Sequence, residues 1–189
     1  MINKPNGYDE ATAFTGEFET LEPGGKILVI KKAEEVQSSK GGRMFVFMFD
    51  IAEGDEKGFF ERQWNADKER PMRKWRGTYN QLMEGKSLPF FKGLITSIEE
   101  SNPGYKWNWD ETTLKGKLIG GIFRREEYRK QNGDIGITTK CQNVRSVQAI
   151  REGVPVPEDK RIADDGSPAL TTPKAYNFEA LGSDEELPF

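Results

Sequence analysis

Lys68, Arg70, Arg73, Lys74 and Arg76 lie within twelve consecutive residues, KERPMRKWRGTY (68–79), with Pro71, Trp75 and Tyr79 between them and one acid, Glu69. An unpaired nucleic-acid strand asks for this mixture. Cations spaced every few residues neutralise successive phosphates, and flat rings stack on bases that have no pairing partner. The competing account is a solvated loop whose Trp75 packs back on the body. Trp64, just upstream, belongs with this set. Two shorter stretches repeat the pairing more weakly: Lys106 and Trp107 (with Trp109) in YKWNW, and Arg124, Arg125 and Tyr128 in RREEY. For these, ordinary packing explains the residues at least as well.

Catalytic patterns fare worse. GKS at 85–87 looks like the close of a phosphate-binding loop, but that loop needs a glycine five places before Gly85, where Asn80 stands. Asp50, Glu53, Asp55 and Lys57 resemble the acid cluster of a metal nuclease. They fall around one turn, EGDEKG, whose composition is ordinary turn chemistry. Histidine is absent, which removes Ser-His and Cys-His nucleophiles and the commonest zinc ligands. The single Cys141 has no partner for an internal disulfide. The expectation is a protein that binds rather than catalyses, with no metal and no cofactor.

The elements that must position these residues read as mainly β. Residues 24–36 are rich in β-branched side chains after a Pro-Gly-Gly break, which predicts a strand. Residues 43–52 give the clearest one, with Phe45, Phe47, Phe49 and Ile51 on one face at period two; that stripe is read as core rather than as a stacking surface. FFERQW (59–64) predicts a third strand, and residues 65–87 a polar insertion with a short helix beginning at Pro71. Phe91, Leu94, Ile95 and Ile98 recur at helical spacing within 88–101, stopped by Asn-Pro-Gly. Strands follow at 114–128, containing the pair Gly120–Gly121, and at 135–150, joined by the turn signal NGD. Three strands, a helix and two strands is the order of an OB-fold, a five-stranded barrel with one helix between strands 3 and 4.

This divides the 189 residues into an arm (1–23), an OB-like domain (24–152) and an acidic tail (153–189). The net charge of −3 is uneven: residues 156–189 carry eight acids against three bases, a net of −5, which leaves +2 on the rest. Two parts of opposite sign suit two partners. Neither a signal-peptide core nor an apolar run of membrane-spanning length is present in the sequence, so the cytoplasm is the expected location.

The sequence SDEELPF (183–189) places Asp184, Glu185 and Glu186 before Leu187, Pro188 and Phe189. An aromatic anchor beside a carboxylate is a compact recognition device. This stretch resembles the acidic tip of bacterial single-stranded DNA-binding proteins. The resemblance implies that Phe189 enters an apolar pocket of a replication or repair protein while its carboxylate meets a basic residue. The body resembles instead a family of phage-encoded proteins thought to bind single-stranded DNA. The shared stretches are FDIAEG (49–54), KGFF (57–60), ESNPGYKW (100–107), LKGKLIG (114–120) and VRSV (144–147). That likeness implies an OB-like barrel serving phage replication or recombination in the host cytoplasm. Its partners would be single-stranded DNA and, through the tip, other replication or recombination proteins; it would not engage a membrane, and self-association is compatible with it.

Overall fold

The computed structural model describes residues 3–6, 8, 19–67 and 74–162. Five strands form one antiparallel sheet: β1 (Gly24–Gln37), β2 (Arg43–Ile51), β3 (Thr78–Leu82), β4 (Leu118–Arg129) and β5 (Ile135–Arg145), in the order β3-β2-β1-β4-β5. β1 is long because it serves two partners. Residues Gly24 to Val29 pair with β4 and residues Leu28 to Gln37 with β2, and the register shifts between Ile30 and Lys32. An irregularity of this kind bends the strand and increases its twist.

The core lies against one face of this sheet. Phe45, Phe47, Phe49 and Ile51 are all buried, as their period-two spacing predicts. They meet Leu28, Ile30, Ile119 and Phe123 from the neighbouring strands. Helix α2 (Leu88–Ser101) closes the bottom with Phe91, Leu94 and Ile98, the buried stripe its spacing requires, and packs on β3, β4 and β5. Among the described residues no ladder joins β3 to β5, so the sheet is not closed into a barrel.

Residues 59–64, expected as a strand, lie in a helix, α1 (Phe59–Ala66). The reason is a cap supplied from another element. Gly58 precedes the helix in the left-handed region and offers no side chain. The buried Asp50 carboxylate, at the end of β2, instead accepts the N–H groups of Phe60 (2.9 Å) and Glu61 (3.1 Å), as well as that of Ile51 (2.8 Å). These are the orphan donors of a helix start, and an anion there is favourable.

The third strand comes instead from residues 78–82, inside the stretch expected as a polar insertion. Tyr79 and Gln81 point inward and Asn80 outward. Burial of Gln81 is sustained by its side-chain N–H donating to the Leu82 carbonyl at 3.0 Å. The helix expected to begin at Pro71 lies outside the described residues.

The final strand stops at Arg145, short of the expected residue 150, because Ser146 caps a short helix, α3 (Val147–Glu152), by accepting from Ala149 N–H. Gly120 makes room for that helix: a side chain there would collide with Ile150. Past α3, Lys160 adds a parallel bridge to β4, donating to the Arg125 carbonyl (2.9 Å) and accepting from Glu127 N–H (2.8 Å). Among the described residues no helix is long and apolar enough to cross a membrane.

Candidate nucleic-acid interface

The basic segment joins α1 to β3, and its described end runs beside β2. The β2–β3 ladder reaches Met48 and Thr78, and Phe49 N–H continues it with a 2.7 Å bond to the Gly77 carbonyl. Gly77 sits too close to β2 for a side chain, which would collide with the Phe49 carbonyl. That carbonyl is taken by the indole N–H of Trp75 at 3.0 Å. Trp75 is therefore half-buried and fixed, with its ring 6.1 Å from that of Trp64 on α1. Lys74 and Arg76 flank it and are exposed. Arg76 pairs with Asp67 at 3.1 Å, whereas Lys74 makes no ion pair among the described residues.

Tyr79 is elsewhere: its ring packs on Phe47 at 5.5 Å, and burial pushes its phenol well above the ordinary range. It belongs to the core of the sheet. Lys68, Arg70 and Arg73, and likewise Asp184, Glu185, Glu186, Leu187, Pro188 and Phe189, lie outside the described residues.

A second aromatic group forms at the other end of the β2 phenylalanine row, roughly 13 Å away for four residues of strand. Trp107 packs on Phe45 (5.9 Å between centroids) and Phe91 (6.2 Å). Two bonds hold it: its indole N–H donates to the Asp110 carbonyl at 3.0 Å, and its backbone N–H to Glu99 at 3.1 Å. Glu99 also accepts from the Lys106 ammonium at 2.6 Å. That bond, with the Trp107 N–H, holds its carboxyl below the usual glutamate range.

Trp109, read from the sequence only as part of the weaker YKWNW stretch, is the more open ring. It is 71% exposed and lies 4.8 Å from Trp107. Among the described residues it is the one non-glycine residue with positive φ, at 69°. The cause is local: Asp110 N–H donates back to the Asn108 side chain at 3.3 Å, and Thr112 N–H to Asp110 at 3.0 Å. Asn and Asp flanking the ring were the sequence sign of such a turn.

Arg124, Arg125 and Tyr128 do not act as one group. Alternation puts Arg124 and Tyr128 on one face of β4 and Arg125 on the other. Arg124 pairs with Glu126 (2.8 Å) and Arg125 with Glu22 (2.6 Å). Tyr128 is exposed and lies over Gly136, its partner on β5. Lys140 stands opposite Arg124 and is exposed.

The acids near β2 do not form a metal centre. Both Asp50 oxygens are occupied by backbone donors, and Glu53 pairs with Arg151 at 3.0 Å. Among the described residues no three Asp, Glu or Cys side chains are placed to share a cation. No protein-family model matches the chain, and no curated protein matches it.

Proposed function

We propose that this chain is a non-catalytic single-stranded DNA-binding protein, phage-encoded, that protects unpaired strands and recruits partners in replication or recombination. The sheet is read as an OB-type fold, partly open between β3 and β5, since β1 pairs with both β2 and β4 and α2 enters between β3 and β4. The observation that carries the reading is the tether of Trp75 to Phe49. It holds the exit of the five-cation segment against the sheet, with Lys74 and Arg76 facing water on either side of a fixed ring. A fixed aromatic between exposed cations stacks a base and neutralises its phosphates with little ordering cost. Asp184, Glu185 and Glu186, with Leu187, Pro188 and Phe189, are proposed to dock on a replication or recombination protein.

Titrating labelled oligo-dT, single-stranded and in duplex with oligo-dA, at two salt concentrations tests this. Tight binding to the single strand that weakens steeply with salt is expected, with each lost phosphate contact reducing the log–log slope by about 0.7. Binding indifferent to salt, or equal for duplex, rejects the reading.

A second reading, an adaptor whose sheet binds protein, draws on the β4–β5 hairpin. Ile135 and Ile137 lie on one face of it, 54% and 67% exposed. Exposed apolar side chains at alternate positions of a strand suit addition of a partner strand.

A further inference from the structure

We propose that Trp109 is a stacking platform for one unpaired nucleobase, a second contact point distinct from the 64–76 region; this rests on the single-strand reading above. A large ring standing in water on a left-handed backbone is unfavourable on two counts, and the surrounding hydrogen bonds nevertheless impose it. Packing requires little of it: Trp107 already covers Phe45 and Phe91, and Trp109, although its ring centroid lies 6.5 Å from that of Phe91, keeps most of its surface exposed. One face of the indole leans on Trp107 at 4.8 Å with a 38° tilt, and the ring keeps most of its surface in solvent.

The surroundings favour a base over a phosphate. A shallow concavity opens beside the ring, walled by Arg43, Met83, Trp107 and Glu111. Arg43 is committed to Glu35 through two hydrogen bonds, at 2.6 and 2.8 Å. With Glu111 in the same wall, the concavity has no surplus of positive charge to draw a phosphate inward. It offers instead aromatic surface and the Glu111 carboxylate, an acceptor for a base N–H such as thymine N3–H. Lys106, three residues away in the sequence, bonds Glu99 at 2.6 Å, but its side chain is 83% exposed, so the remaining N–H donors of its ammonium can meet the backbone of a stacked nucleotide.

Full-length protein, Trp109→Ala and Trp109→Phe should be titrated with fluorescein-labelled oligo-dT, with thermal melts of each. Trp109→Ala should weaken binding about 5- to 150-fold, the range for one stacked base, while its melting temperature stays near wild type. Trp109→Phe should recover most of the affinity, and an oligonucleotide carrying 5-bromouracil should photocrosslink to Trp109. Wild-type binding matched by Trp109→Ala overturns this inference and leaves the single-strand reading standing. So does a Trp109→Ala variant whose weaker binding tracks a lowered melting temperature. A wild-type protein that ignores single strands removes both.

Discussion

The indole N–H of Trp75 donates to the carbonyl of Phe49 at 3.0 Å, in the place a strand N–H would occupy if β3 began earlier. Gly77 brings the two backbones together, and the side chain two residues before it completes the bonding of β2. Trp75 therefore belongs to the fold as well as to the proposed interface, and its two roles separate by substitution. Trp75→Phe keeps a ring but leaves the Phe49 carbonyl unpaired, so it should lower unfolding free energy by about 1–3 kcal/mol with a smaller loss of affinity. Trp75→Ala should lose both. Urea melts and oligo-dT titrations of the two variants check this; equal stability of Trp75→Phe and wild type would show the bond to be dispensable.

Asp50 caps α1 from ten residues away, and its removal leaves buried donors on Ile51 and Phe60 without a partner. Asp50→Ala should destabilise the protein by about 2–6 kcal/mol, since each of the two orphaned buried donors costs about 1–3 kcal/mol. Asp50→Asn should fall between, because one of its side-chain positions becomes a donor facing Glu61 N–H. Chemical denaturation of both measures it, and a near-wild-type Asp50→Ala would mean that α1 is capped otherwise.

These two contacts also mark where the sequence stopped being legible. β2 and α2 announce themselves because their apolar residues recur at one period and face one core. α1 does not, since its cap is on β2 and its first two residues, Phe59 and Phe60, look like strand. β3 hides because its inward residues are Tyr79 and Gln81, and a buried glutamine reads as surface until its carbonyl partner is known. At the site, Trp75 and Trp107 were readable as aromatics among cations. The openness of Trp109 follows from a turn that the flanking Asn108 and Asp110 signal in the sequence, whereas the direction in which it turns the ring does not show there.

Glu99 ties Lys106 and Trp107 to α2, and its carboxyl is held below the ordinary 4.5 by those two bonds. A depressed carboxylate contributes stability above its unfolded value and loses it as pH falls through the folded one. Acidification below about pH 4.5 should therefore release the 105–110 loop and shift tryptophan emission to the red. Glu35, lowered by its bonds to Arg43, adds to the same acid limb. Glu99→Gln should flatten the emission change in that window while the Glu35 contribution remains. An unchanged emission titration would mean that Glu99 does not hold the loop.

Cys141 gives a limb at the other end of the scale. Its thiol donates to the Asn143 carbonyl at 3.4 Å, and burial pushes its pKa from 9.0 up to about 12. Thiolate is the reactive form, so Cys141 should resist a thiol reagent at pH 8 and react fully once urea unfolds the chain. The same shift is a stability statement. An acid whose folded pKa is raised stabilises the protein below its unfolded pKa, and that contribution is lost as pH rises toward the folded value. Unfolding free energy should thus decline between about pH 9 and about pH 12, with the buried Tyr79 phenol extending the decline in the same direction. Cys141→Ala should make the early part of that decline shallower. Rapid labelling of the folded protein at pH 8 would show that the thiol is not shielded, and identical alkaline profiles for Cys141→Ala and wild type that it is not linked to folding.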